Sequence, residues 1–242
     1  MAKRANRQAA TSRAGRPAVR LVQNKQTGAK APAVKPRGQG GKRGDEVRKK
    51  VLRAALEYFG AFGFEGTTTR AVAERAGISH SLVLYHFQSK EQLWISMMDD
   101  AIGRYASAIK GIFDRSPGRA GEALKEFIEQ FVRMSSETPQ IHRIMTMASN
   151  QDTARLRWVI DKYLRDHFEA IRDLIRRGQM EGSVRDCDPA RLYFHILGAG
   201  GTPFTTAMEY RALTGRDIFS EKEILRTIAF IHDIVFLDPE ST

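Results

Sequence analysis

From Asp45 onward, apolar side chains recur at intervals of three and four residues, the period of a helix with one buried face. Val51, Leu52, Ala55, Leu56, Phe59 and Phe62 share one such face, and Gly60 and Gly63 loosen the end of the helix. Gly66 opens a turn. Thr68 is placed to cap a short helix through Val72, Ala73 and Ala76, which Gly77 stops. Ser79 caps a second short helix through Leu82 and Val83 towards Phe87. Ser89 with Gln92 forms a capping box for a long helix through Trp94, Met98, Ile102, Ile109 and Phe113.

The same punctuation continues to the end of the chain. Pro117-Gly118 breaks the pattern, and Leu124, Phe127, Ile128 and Phe131 mark the next helix. Thr138-Pro139 supplies a cap and an N1 proline before Ile141, Ile144, Met145 and Ala148. Leu156, Val159, Tyr163, His167, Ile171, Leu174 and Ile175 predict a long helix ending near Gly182. Asp188-Pro189 starts another, which Pro203 must kink or interrupt. Ser220 with Glu223 forms a further capping box, opening a last helix to about Phe236. No segment alternates as a strand would, so the expectation is an all-α chain of about nine helices.

Composition adds a tail to this picture. The chain of 242 residues is 42% hydrophobic and 28% charged, ordinary for a globular protein, yet it carries a net charge of +11. Twelve of its 39 basic residues lie in residues 1–43, which contain no acid; the remaining 27 stand against 28 acidic ones, a net of −1. Residues 1–43 are also almost free of large apolar side chains, so they are expected to be a disordered basic tail. A basic arm that speeds DNA encounter, an inert extension and a transit peptide are the three readings it allows. No apolar run suits a secretory signal or a membrane span, and the single Cys187 between Asp186 and Asp188 permits no internal disulfide. A cytoplasmic location without membrane attachment is expected.

The densest chemistry lies between Phe64 and Trp94. Two short helices meet at Ala76-Gly77-Ile78-Ser79: the glycine supplies a left-handed turn, the isoleucine a core plug and the serine a cap. Such a helix-turn-helix lets the second helix project into a major groove. Its outward positions Ser79, His80, Ser81, Leu82, Tyr85 and His86 are small, polar or aromatic, suited to base edges and phosphates. The expected organisation is a three-helix DNA-binding domain over residues 44–93, followed by a helical ligand-binding and dimerisation domain over 94–242.

The run Gly63-Phe64, Thr67-Thr68-Thr69, Ala73, Ala76-Gly77-Ile78-Ser79, Tyr85-His86-Phe87 and Ser89-Lys90-Glu91-Gln92-Leu93 resembles the N-terminal signature of the TetR family of bacterial regulators. The resemblance covers residues 46–94. It implies that Thr68 and Thr69 meet a phosphate at a helix N-terminus, and that Arg70 reaches a base edge or backbone. It further implies a reading face of His80, Ser81, Leu82 and Tyr85, with His86 and Lys90 nearer the DNA backbone. Leu84 stands where the family usually places a phosphate-contacting tyrosine, which leaves Tyr85 or His86 for that role. The bland alternative is that Arg70, His80 and Lys90 are ordinary solvated side chains on a small bundle.

For the second half, the resemblance implies a ligand held inside the helices and a homodimer formed through the last two. Two-fold dimers of helix-turn-helix proteins read palindromic operators in double-stranded DNA. The small residues Gly198-Ala199-Gly200-Gly201 suit a close helix contact, at a dimer seam or a ligand entrance. Polar groups on apolar helices are the candidate ligand contacts: His142, Arg143, Tyr163, His167, His195 and Thr202. Tyr105, Phe113, Met147, Trp158 and Phe204 are candidate walls, a bias that favours a hydrophobic or amphipathic effector. Each of these has a plain alternative as a satisfied core residue. The histidines lack ligand spacing for a metal, no cofactor motif appears, and no phosphate loop, nucleophile elbow or paired carboxylates suggest an enzyme. A ligand-released repressor is therefore expected ahead of an enzyme or a non-specific DNA binder driven by the tail.

Overall fold

The structure, a computed structural model, describes residues 41–115 and 119–237, without the side chains of residues 42, 43, 106, 108, 110 and 113–115. The expected tail as far as residue 40, the Pro117-Gly118 break and the side chain of Phe113 lie outside the described residues. The helices are α1 (Lys42–Gly66), α2 (Thr69–Ala76), α3 (His80–Phe87), α4 (Lys90–Arg115), α5 (Ala120–Glu137) and α6 (Pro139–Ala148). They continue as α7 (Ala154–Val159), α8 (Arg165–Met180), α9 (Pro189–Thr205), α10 (Ala207–Thr214) and α11 (Glu221–Val235). A π-helical turn, Ile160–Leu164, joins α7 to α8 without a break, so the described residues form ten separate helices. Their only strand-like feature is one isolated bridge, Val184 with Phe236.

The helix added to the nine expected is α10, and proline chemistry explains it. Pro203 has no N–H to donate, α9 stops two residues later at Thr205, and α10 restarts at Ala207. Capping follows the sequence at most starts. Thr68, Ser79, Ser89 and Asp188 side chains accept from the backbone N–H of Ala71, Leu82, Gln92 and Arg191 at 3.1, 3.3, 3.1 and 2.8 Å. Three expectations need correction. At α4 the Ser89 N–H donates to the Phe87 carbonyl at 2.7 Å, so only the Ser89 side-chain half of that capping box forms. Thr138 makes no side-chain cap, leaving Pro139 alone to start α6. At α11 only half of the capping box forms, because the buried Glu223 carboxylate accepts from Tyr210 Oη and Arg226 instead of reaching back.

Two apolar cores organise the helices. One is built by Val51, Leu52, Ala55 and Phe59 of α1 with Val72, Val83, Phe87, Leu93, Trp94, Met97 and Met98, closed by Ile144 of α6 and Val159 of α7. The other joins Ile109 and Ile112 of α4 to Phe127 and Phe131 of α5, Ile171 and Ile175 of α8, Tyr193 and Ile196 of α9, and Ile231 of α11. Helix α4 runs through both, so it cannot shift in one core without disturbing the other. Phe62, read from its spacing as part of the buried α1 face, is instead 60% exposed. Gly63, with a φ of 68°, ends regular helix geometry one residue later.

Candidate nucleic-acid interface and effector cluster

Helices α2 and α3 are set at an angle by Gly77, whose φ of 66° and ψ of 34° place it in the left-handed region that favours glycine. Its N–H and that of Ile78 donate back to Glu74 and Ala73 carbonyls at 3.0 Å each, closing the end of α2. A hydrogen bond of 2.9 Å between Thr69 Oγ1 and His80 Nε2 ties the start of α2 to the start of α3. Val83 and Phe87 anchor α3 in the core, which turns Ser79, Ser81, Leu84 and Tyr85 outward. Tyr85 is the most projecting of these, 78% exposed, with its ring edge-on to His86 at 5.5 Å. Leu84 is 37% exposed, so the tyrosine of this face stands one position further along.

The expected contacts differ in exposure. Thr68 and Arg70 are exposed at the start of α2, while Thr69, His80, Leu82 and His86 are half-buried. Lys90 is drawn sideways: its ammonium sits 4.4 Å from the Phe64 ring centroid and donates to the Glu65 carbonyl at 3.4 Å. Phe64 also holds Arg155, whose guanidinium lies 3.5 Å from the ring centroid and pairs with Glu91 at 3.2 Å. Arg155 belongs to α7, so this pair fastens the second half of the chain onto the helix-turn-helix region. Beside it a cleft of about 200 Å³ opens between Phe59, Phe64, Trp94, Ile144 and Met147.

Deeper in the second half, aromatic rings surround an imidazole. His167 lies 5.5 Å from Phe127, 5.8 Å from Tyr105 and 6.2 Å from Tyr193, ring centre to ring centre. Phe131 closes on Tyr105 at 6.4 Å, and Phe168 on Tyr193 at 5.1 Å. Burial alone pushes the His167 pKa down to about 4, so the ring is neutral near pH 7. Burial likewise pushes Tyr193 up to about 12, and raises Tyr105 well above the usual phenol with the neighbouring Tyr193 adding to the effect. The Tyr105 Oη is buried without a hydrogen-bond partner.

Sequence comparison then bears on the whole of this arrangement. The family model described as bacterial regulatory proteins, tetR family, matches residues 51–97, and the tetracyclin repressor-like C-terminal domain model matches residues 121–235. The chain belongs to the TetR family. Among curated TetR-type relatives, the transcriptional regulator RutR of Escherichia coli K12 is 28% identical over 203 residues, covering 84% of this chain and 95% of RutR. The regulatory protein RaaS of Mycobacterium tuberculosis is 29% identical over 153 residues, 63% of this chain and 68% of its own length. Solved structures share the fold. AibR, crystallised with isovaleryl coenzyme A and operator DNA, matches with a TM-score of 0.64 at 14% identity, over 78% of this chain and 98% of AibR. The ketosteroid regulator KstR2 of Mycobacterium tuberculosis matches with a TM-score of 0.64 at 20% identity, over 83% and 98%. This TetR-family chain is thus a DNA-binding transcriptional regulator of a ligand-responsive class, and its relatives are regulators rather than enzymes. No helix among its described residues is long and apolar enough to cross a membrane.

The structure disperses the candidate ligand contacts instead of gathering them in one site. Tyr105 and His167 meet in the aromatic cluster. Trp158 packs on Trp94 at 6.1 Å and on Tyr163 at 5.9 Å, and Tyr163 donates to Asp99, which also accepts from Lys162. The π-helical turn presents Lys162 and Tyr163 together to α4. Met147 lines the cleft beside Phe64. His142 presses on Gly201, and Arg143 donates to the Thr205 carbonyl at 3.3 Å, both joining α6 to α9. His195 and Thr202 are exposed on α9, and Phe204 is fully buried against Phe219. Phe127, Phe131, Phe168 and Tyr193 complete the cluster but were not among the sequence candidates. Phe127 and Phe131, four apart on α5, read equally well as plain core, while Phe168 follows a candidate directly.

Proposed function

We propose that this regulator is a homodimeric repressor that holds a palindromic operator through α2 and α3 and is released by a small hydrophobic or amphipathic effector. The observation that carries the reading is the left-handed Gly77 turn, which leaves α3 anchored by Val83 and Phe87 while Tyr85 and Ser81 are exposed. Thr68, Thr69 and Arg70 contact phosphate or base edges at the start of α2, and Ser79, His80, Ser81, Leu82, Tyr85 and His86 supply the reading face. Lys90 joins the phosphate contacts only by leaving Phe64.

The dimer is formed by α9 and α11. Phe194 on α9 and Leu225, Phe230 and Ile234 on α11 are large apolar side chains left exposed on those helices. Release follows from the two-core path of α4. An effector that reorders the second core moves α4, and through the Phe64–Arg155 contact it changes the separation of the two α3 helices. Selection of bound sequences from a random duplex pool tests the reading. A palindromic motif is expected from the full chain and from a chain starting at Gly44. Recovery of no motif, or binding lost with residues 1–43, would reduce the protein to a non-specific binder.

A further inference from the structure

We infer that the effector is an uncharged molecule with an aromatic or similarly flat apolar face and a hydrogen-bond acceptor, bound among Tyr105, His167 and Tyr193. This deepens the proposal of effector release and rests on it for its regulatory meaning. Three observations converge. A buried hydroxyl without a partner is costly in a core, and Tyr105 Oη is such a group, placed where the rings of α4, α5, α8 and α9 meet. A ligand acceptor would complete it. The walls Phe127, Phe131 and Phe168 offer flat apolar surface at ring distances of 5.1 to 6.4 Å from Tyr105, His167 or Tyr193. The remaining polar groups, an imidazole and a phenol, are both neutral near pH 7 and supply hydrogen bonds without charge.

Charge is what the cluster lacks. Among the described residues the one buried charged side chain is Glu223, and it is held by Tyr210 and Arg226 at the junction of α10 and α11. Among the described residues Arg172 stacks on one of these rings, 5.4 Å from the Phe168 centroid; its terminal nitrogen pairs with Glu169, while its Nε is buried without a hydrogen-bond partner. A carboxylate drawn into the cluster would lose its hydration and find only the Arg172 charge already shared with Glu169, and an ammonium would find no carboxylate among the ring residues. A neutral acceptor such as a ketone or amide oxygen loses far less and gains the Tyr105 proton.

A matched set of single-ring probes tests this with the full-length protein: acetophenone, benzoate, benzylammonium and ethylbenzene, titrated by saturation-transfer NMR. Acetophenone is expected to bind at least about tenfold more tightly than either ion. Tyr105→Phe should weaken acetophenone about tenfold while leaving ethylbenzene within about twofold. Benzoate binding most tightly, and losing that advantage in Arg172→Gln, would overturn the uncharged class. No binding by any probe, or binding indifferent to both Tyr105→Phe and His167→Leu, would overturn the site. Acetophenone bound through Tyr105 without any loosening of the DNA complex would leave this inference standing and remove effector release at this site.

Discussion

Gly201 tests the packing that connects α9 to α6. A Cβ added there would stand 2.5 Å from His142 Cε1, whereas a Cβ at Gly103 of α4 would meet nothing within 4 Å. Both glycines are inside helices, so replacement by alanine contributes about 0.5–1 kcal/mol at each from reduced chain entropy. At Gly103 that gain stands alone. At Gly201 the imidazole must retreat by about 1 Å to reach ordinary contact, and overpacking of this kind costs about 1–3 kcal/mol. The net for Gly201→Ala is a loss of up to about 2.5 kcal/mol, a fall in Tm of up to about 10 °C for a chain of this size. Gly103→Ala should raise Tm by about 1–4 °C. Thermal unfolding followed by circular dichroism measures both. His142→Ala supplies the cycle: with the ring removed, the penalty at Gly201 should shrink, giving a coupling above about 0.5 kcal/mol. Equal tolerance of the two alanines, or strict additivity with His142→Ala, would refute the contact.

Three further outcomes are expected. His167 has a depressed pKa in the fold, so the unfolded chain takes up its proton first as pH falls. Stability is then unaffected above the ordinary histidine value of about 6.5 and is lost between there and about pH 4. The loss between pH 7 and pH 5 is about 2 kcal/mol by urea unfolding; it should shrink in His167→Leu, and an unchanged slope would place the titration elsewhere. Phe230, 61% exposed on α11, should be replaceable by lysine without loss of helix content, yet Phe230→Lys should convert dimer to monomer in sedimentation velocity; an unchanged assembly would move the seam off this helix. Asp188→Ala removes the 2.8 Å cap on the Arg191 N–H and should cost about 1 kcal/mol, while Asp188→Asn keeps most of it; identical melting of the two would show the cap to be idle.

Local signals carried the N-terminal third because they were dense there. Thr68, Gly77 and Ser79 each act within three or four residues, and their caps and left-handed turn appear in the fold where spacing puts them. Elsewhere the deciding contacts are distant in the chain. Arg155 reaches Glu91 across 64 positions, and Tyr163 reaches Asp99 across the same separation, so neither pairing has a local signature. Glu223 illustrates the competition directly: its spacing from Ser220 predicts a capping box, but Tyr210 and Arg226 take the carboxylate. The glycines of α9 divide for the same reason. Gly200 and Gly201 admit Phe131 and His142 from other helices, while Gly198 faces open space, a distinction no one-dimensional pattern contains.

The central claim is that the face carrying Ser81 and Tyr85 reads sequence. Fluorescence anisotropy with the duplex enriched from the random pool, against a scrambled duplex of equal length and salt, measures this directly. The account predicts a preference of about 10³-fold or more at physiological salt, falling sharply in Tyr85→Ala and Ser81→Ala while phosphate-driven binding to the scrambled duplex persists. Equal affinity for both duplexes, or a preference untouched by either substitution, would contradict it.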